Sequence, residues 1–251
     1  MAGYEALPDV YEWLIPDAKL TLKGSVAALG DLVRSLPPKA RVLDCSCGTG
    51  QLAVGLASLG FDVVATDASA GMVRRTEELA DEHRVPLQAL RVAWDDLPDF
   101  FDPSMFDLVL CVGNSLGHAQ GTSGRLAALT AMSRLLNPRG RVVVTSRMWE
   151  LVRAGGTRID VRDRLVERKG HDAVVIYSWQ IEDLWEQEHH LEIAVARVEP
   201  DGAVVTSSER LSFWPYRYED LLAELRSVAL EIVDSTIDPD GQGYMVVART
   251  A

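Results

Sequence analysis

The stretch VLDCSCGTGQ, Val42 to Gln51, constrains this chain more than any other feature. A short apolar run, Arg41 to Cys45, opens into Gly48-Thr49-Gly50, and Gln51 to Leu59 then follows with helical spacing up to a stop at Gly60. Strand, glycine turn and helix in that order let the backbone approach a ligand closely. They also present the unpaired N–H groups of a helix start. A glycine turn can equally be structural, so the next element matters. Asp62 to Thr66 reads as a buried strand ending in Asp67, a little over twenty residues after Asp44. An acidic side chain there can accept both hydroxyls of a ribose. A bare helix N-cap is its bland alternative. Ala53 and Val54 stand where a dinucleotide fingerprint would place its third glycine, which disfavours a pyrophosphate and leaves a nucleoside with a zwitterionic tail as the better fit.

Further along, the periods alternate. Residues 20–36 have helical spacing closed by Pro37-Pro38, and Ala70 to Asp81 reads as a helix. Leu87 to Trp94 and Phe106 to Val112 read as strands, Gly124 to Leu136 as a helix, Asn137 to Gly140 as a turn, and Arg141 to Ser146 as a fifth strand. Such alternation builds right-handed crossovers and a mostly parallel sheet. From about Asp160 to Phe213 the pattern becomes apolar-polar alternation broken by turns such as Asp201-Gly202, an antiparallel meander. Tyr218 to Val228 returns to a helix, and Leu230 to Ile237 and Tyr244 to Arg249 are the last two strands. The expected class is α/β: a Rossmann-like sheet, mostly parallel with the last strand antiparallel, carrying an antiparallel β insertion as a substrate lid. The expected units are an N-terminal helical cap (1–38), a cofactor-binding core (39–148), the lid (149–213) and a C-terminal helix and strands completing the core (214–251).

LDCSCGTGQ followed by VVATDAS-x-x-M resembles motifs I and II of the class I S-adenosylmethionine-dependent methyltransferases. Ala93-Trp94-Asp95 and the strand after NPRG are similar to later elements of that family. More narrowly, CVGNSLGH (Cys111 to His118), SRMWELVRAGG (Ser146 to Gly156) and the antiparallel insert resemble glycine N-methyltransferase and the amino-sugar N-methyltransferases. The resemblance implies S-adenosyl-L-methionine as cofactor. Asp44, Cys45, Gly48 and Gly50 would line its methionine end, Asp67 its ribose, and Ala68, Met72, Trp94 and Asp95 its adenine, with the Val112 backbone facing the sulfonium. Lys19 or Lys23 would meet the cofactor carboxylate. Plain core packing is the alternative for Trp94, and Cys45 and Cys47 read equally as small fillers of a tight turn.

For the acceptor, His118 follows the fourth strand at the carboxyl edge of the sheet, where open α/β folds place ligands. An imidazole with its ordinary pKa near ~6.5 can take a proton there; a helix cap is the competing role. Asn114 in the same loop can orient the acceptor or simply make the turn. Arg147 closes the fifth strand with a fork suited to a carboxylate, although a neighbouring acid could equally pair with it. Tyr11, Tyr177 and Tyr244 belong to a spread of aromatics that would wall a substrate site. His189-His190 in the insert reads as part of a solvated strand.

The function this implies is methyl transfer to a small polar acceptor, an amine such as a glycine-like amino acid or an amino sugar. O-methylation of a small natural product, or a silent cofactor-binding protein, are the alternatives. Lys+Arg 25 against Asp+Glu 37 gives a net charge of −12, which disfavours nucleic acid and anionic membrane. No apolar stretch reaches the roughly 18 residues of a membrane span, and the N-terminus lacks signal-peptide order. Three cysteines, two of them one residue apart, suit neither a disulfide framework nor a zinc site. A cytoplasmic protein without metal is expected, and a homo-oligomer stays open.

Overall fold

A computed structural model describes residues 4–162 and 165–250. Residues 1–3 of the expected N-terminal cap, 163–164 of the insert and Ala251 lie outside the described residues.

Five strands build the parallel part of the main sheet: β1 (Arg41–Asp44), β2 (Asp62–Asp67), β3 (Gln88–Arg91), β4 (Phe106–Cys111) and β5 (Leu136–Arg147). Five more form the insert: β6 (Arg158–Val161), β7 (Val166–Arg168), β8 (His171–Gln180), β9 (His189–Val198) and β10 (Val204–Phe213). β11 (Leu230–Ile237) and β12 (Gly243–Thr250) return to the main sheet, whose order is β11-β12-β5-β4-β1-β2-β3. β1 pairs in parallel with both β2 and β4, while β12 runs antiparallel to β5. The chain therefore leaves β1 toward one side and later returns on the other, which opens a crevice at the carboxyl ends of β1 and β4.

The helices are α1 (Asp17–Leu20), α2 (Leu22–Ala27), α3 (Asp31–Arg34), α4 (Gln51–Ser58), α5 (Ala70–His83), α6 (Leu97–Phe100), α7 (Gly121–Leu135), α8 (Trp149–Ala154) and α9 (Tyr218–Ser227). The sheet strands are apolar on both faces because helices cover both. Val42, Leu43, Leu108, Val109, Leu110, Val142, Val143 and Val144 are all 0% exposed. In the insert, β10-β9-β8-β6 form an antiparallel sheet with β7 on β8. Its inward residues join the main core, where Val175 and Val195 pack with Phe213 and Trp149.

Three local expectations change. The continuous helix over 20–36 is three short pieces: Thr21 is extended (ψ 152°) and caps α2 by accepting from the Gly24 N–H at 3.0 Å. A Cβ on Gly24 would lie 2.0 Å from the Ala18 carbonyl oxygen, so the chain doubles back tightly here. Asn137 to Gly140 is a bulge inside β5, since Phe106 pairs with Leu136 and Leu108 already with Arg141. Asp107 stabilises that bulge, accepting from Asn137 Nδ2 and from the Arg41 N–H at 2.8 Å. His189 is not solvated: it is 0% exposed, its Nδ1 donating to the Gln187 carbonyl (2.9 Å) and its Nε2 accepting from Arg153 (2.6 Å).

Candidate functional site

A cavity of about 650 Å³ opens in the crevice beyond β1 and β4. Its inner wall is Cys45, Ser46, Asp67, Ala68, Ser69 and Val92 to Asp95; the far wall is His118 with the first turn of α7, and Ser212 and Trp214 follow the insert. Thus Cys45, Asp67, Ala68, Trp94, Asp95 and His118 share one cavity. Asp44, Gly48, Gly50, Met72, Val112, Asn114, Tyr11, Arg147, Tyr177 and Tyr244 are outside its lining. Lys19 and Lys23 are exposed on α1 and α2 and do not line it.

The glycine turn has the backbone that only glycine adopts readily: φ is +54° at Gly48 and +90° at Gly50. The two differ in what surrounds them. A Cβ on Gly50 would lie 2.9 Å from Thr76 Cα, so Gly50 serves the packing of α4 on α5. A Cβ on Gly48 would meet only Tyr11 Cε1 at 3.9 Å. That space is a cradle, roofed by the Tyr11 ring.

Asp67 accepts from the Gly48 N–H at 3.0 Å and the Ser69 N–H at 2.9 Å. Burial raises its pKa, and those backbone donors work against the rise. The carboxylate is therefore held in a fixed orientation at the cavity wall, with lone pairs left over for a diol. Asp44, 1% exposed, holds one oxygen near the Ser46 N–H (3.3 Å) while Oδ2 is buried without a hydrogen-bond partner. Burial pushes its pKa up to about 7. A buried carboxylate oxygen without a donor is unfavourable in the free protein and suits an arriving ammonium.

Trp94 donates from Nε1 to the Cys45 carbonyl at 2.8 Å, which fixes the indole as cavity wall. Met72 is 2% exposed within α5, whose start is capped by Ser69 Oγ accepting from its N–H at 3.3 Å. The Val112 N–H donates to Ser46 Oγ at 3.2 Å, and its carbonyl accepts from Ser115 Oγ at 2.7 Å. Asn114 begins the short turn Ser115–His118 in left-handed conformation (φ +68°) with no side-chain cap bond. Tyr244 is 2% exposed and edge-packed on Tyr218 at 4.9 Å.

His118 Nδ1 lies 2.8 Å from the Ser212 carbonyl and so must donate to it; Nε2 then accepts from the Tyr4 hydroxyl at 3.0 Å. Burial lowers the His118 pKa to about 4, with the Ser212 bond opposing. The free-imidazole value expected from sequence is therefore replaced by a neutral ring at pH 7. Phe213 stacks on this ring at 4.2 Å and also lies 5.5 Å from the Arg147 guanidinium carbon.

Arg147 rests on Trp179 (5.1 Å), Trp149 (5.2 Å) and Phe213. Its Nε is buried without a hydrogen-bond partner, and among the described residues no carboxylate pairs with it. Burial lowers its pKa, countered by the electrostatic influence of Tyr4, Tyr177 and Tyr11. Tyr177 in turn accepts from Arg162 at 3.1 Å.

Ser46, Ser69, Glu188 and Ser212 are among the lining residues that the sequence pattern does not single out, while Tyr4 and Trp214 belong to the spread of aromatics expected to wall a substrate site. Ser46 and Ser69 lie inside the quoted motifs and were accessible there. Glu188 carries no local signal. Among the described residues no cluster of metal-ligating side chains occurs, and no helix is long and apolar enough to cross a membrane.

A switch-point crevice, a glycine cradle after β1, an acid ending β2 and a seven-stranded sheet with an antiparallel final strand are the arrangement of the class I S-adenosylmethionine-dependent methyltransferases, which this fold resembles. S-adenosylmethionine is the cofactor of that class, and the space a Cβ at Gly48 would fill and the unpaired Asp44 oxygen fit its methionine end. Residues 42–140 match the methyltransferase domain family. Over 110 residues the chain is 32% identical to glycine/sarcosine N-methyltransferase of Halorhodospira halochloris, covering 44% of this chain and 41% of that protein. Over 151 residues it is 34% identical to cypemycin N-terminal methyltransferase of a Streptomyces species, covering 55% and 60%. The chain thus spans about two fifths of the length of the first of these relatives. Among solved structures, DesVI of Streptomyces venezuelae superposes with a TM-score of 0.78 over 100% of both chains at 22% identity, which shows the shared fold.

Proposed function

We propose that this protein transfers the methyl group of S-adenosylmethionine to the nitrogen of a small acceptor that also carries an anionic group. The observation that carries this reading is Arg147: a half-buried guanidinium with a buried Nε, set over three aromatic rings, with no acid among the described residues to neutralise it. A charge drawn partly out of water without a protein partner is suited to an anion of the acceptor, and a carboxylate matches its fork. The N-methyltransferase relatives support an amine as the nucleophile.

The cofactor supplies an already activated methyl on a sulfonium, so the chain has to bind, orient and exclude water. A held near-attack geometry supplies on the order of 7–11 kcal/mol. Asp67 would hold the ribose, and Asp44 the amino end of the methionine tail. Tyr4 and Tyr11 are each coupled electrostatically to both Asp67 and Arg147, and each phenol stays protonated because burial raises its pKa, to about 12 for Tyr11. The Tyr4 proton is committed to His118, so the phenol oxygen is left to accept from the incoming amine. His118 with a pKa near 4 is a weak base; its role in this reading is to fix that hydroxyl.

The test is a mass-gain assay with labelled cofactor against glycine-like amines, amino sugars and neutral amines. The reading requires turnover of amines bearing an anion, with the Arg147→Ala variant losing at least about tenfold in acceptor KM while cofactor affinity stays within twofold. Equal turnover of neutral amines, or of hydroxyl acceptors alone, overturns it.

A further inference from the structure

Tyr4 lines the cavity with its backbone in the left-handed region (φ +66°), which a residue bearing a Cβ holds only when its surroundings impose it. Its carbonyl accepts from Ser69 Oγ at 3.0 Å, and its hydroxyl donates to His118. The next two backbone N–H groups both donate to one carboxylate, that of Glu209: Glu5 to Oε1 at 3.0 Å and Ala6 to Oε2 at 2.9 Å. Two bonds onto the two oxygens of one ion fix these peptides as a pair, and the charge strengthens each bond. Among the described residues the Glu209 carboxylate makes no ion pair and accepts no other hydrogen bond.

Glu209 is half-buried on β10, on the same face as Leu211 and Phe213, which are 1% and 2% exposed. The same strand holds the imidazole, since the Ser212 carbonyl accepts from His118 Nδ1 and Phe213 stacks on the ring. Three residues of strand, about 10 Å, therefore separate the anchor of the Tyr4 backbone from the anchor of its partner. The insert grips the far end of the arm as well: Arg168 donates to the Glu12 and Ile15 carbonyls, each at 3.2 Å. Glu209 is not part of the cavity lining, so it acts on the site through Tyr4.

We propose that Glu209 is a positioning residue: by clamping the Glu5 and Ala6 N–H groups it keeps Tyr4 in its left-handed turn and the phenol on His118. The consequence for methyl transfer rests on the reading above, in which the Tyr4 oxygen meets the incoming amine. Without the clamp, Tyr4 relaxes toward the backbone conformations open to any residue, and the hydroxyl leaves His118. Only molecules with Tyr4 seated remain competent, so kcat/KM for the acceptor falls with their fraction. The cofactor wall at Asp67 and Trp94 keeps its own bonds to Gly48, Ser69 and Cys45.

The test reads the clamp both in the free chain and in turnover. In nitrogen NMR the His118 Nε2 resonance, assigned with the His118→Gln variant, reports the hydrogen bond that it accepts. Tyr4→Phe moves it toward the position of an unbonded imidazole nitrogen. Glu209→Ala should move it the same way, and Glu209→Gln, which keeps one acceptor oxygen, should move it less. Arg168→Gln, which loosens only the far end of the arm, should leave it in place. In turnover, Glu209→Ala should lower kcat/KM for the acceptor about tenfold, as for loss of a hydrogen bond to a charged group. Affinity for S-adenosylhomocysteine should stay within twofold, and the substitution should add nothing in the Tyr4→Phe background. A resonance unmoved by Glu209→Ala, or moved as far by Arg168→Gln, overturns the proposal. So does a turnover loss that is absent, or that adds fully to that of Tyr4→Phe. A wild type that methylates no amine, while the resonance still responds to Glu209→Ala, overturns the assigned acceptor and supports the clamp.

Discussion

The Tyr4 hydroxyl donates to His118 Nε2 at 3.0 Å, and the Ser212 carbonyl fixes the tautomer that makes this direction obligatory. The contact joins residues 114 apart in sequence, both in the lining of the cavity. Tyr4→Phe leaves the His118 nitrogen without its donor, at about 1–3 kcal/mol. The expected outcome is a kcat/KM for the acceptor lowered about five- to hundredfold with cofactor affinity preserved. His118→Gln, which keeps an acceptor, should recover part of that activity, whereas His118→Ala should not.

Gly48 and Gly50 both sit at positive φ, yet substitution should separate them. Gly48→Ala carries about 1–2 kcal/mol of left-handed strain but meets open space. It should fold, melt a few degrees lower, and lose cofactor binding because its methyl occupies the cradle under Tyr11. Gly50→Ala drives its methyl into the backbone of α5 at Thr76 and should be poorly folded. Thermal melts with and without S-adenosylhomocysteine distinguish the two.

Stability and pH are linked through two buried groups with opposite signs. His118 has a folded pKa near 4, below the ordinary 6.5, so the unfolded chain takes up its proton first and stability falls as pH drops from 6.5 toward 4. Asp44 has a folded pKa near 7, above the ordinary 3.8, so its contribution is lost as pH rises from 3.8 to 7. Between these limits the two slopes oppose each other, and the free protein should show a shallow pH profile. Asp44→Asn removes one of them. That variant should gain stability from pH 4 to 6.5, and above pH 7 it should exceed the wild type by roughly 4 kcal/mol, in urea melts of the free protein.

The same Asp44 should make cofactor binding pH-dependent. An ammonium beside its unpaired oxygen favours the ionised form, so affinity for S-adenosylhomocysteine should fall as pH is lowered below 7. Calorimetry in buffers of different ionisation enthalpy should register proton release on binding near pH 6.5. Asp44→Asn should bind weakly at every pH without that signature.

What the sequence disclosed follows the range of each interaction. The cradle and Asp67 are local: strand, turn and acid lie within 26 residues, and the glycines announce the backbone they permit. The alternating insert was legible for the same reason, since apolar-polar periodicity carries the sheet directly. The helix over 20–36 was misread because its apolar spacing is real, but Gly24 exists for a close approach to Ala18 that no period reveals. Arg147 was placed at the correct strand end, while its support comes from Trp179 and Phe213 in the insert, brought there only by the pairing of β8, β9 and β10. His118 was found by its position after β4, yet its pKa was not, because burial by Phe213 and the bond to Ser212 are tertiary.

The central claim is that the turn at Gly48 and the carboxylate of Asp67 hold the nucleoside of S-adenosylmethionine. Isothermal titration of the wild type and of Asp67→Ala with S-adenosylhomocysteine tests it most directly. The account predicts one site per chain, weakened about 10- to 150-fold by the substitution as hydrogen bonds to a charged group are lost. A folded wild type that takes up none of the ligand, or an Asp67→Ala variant that binds it equally well, contradicts the account.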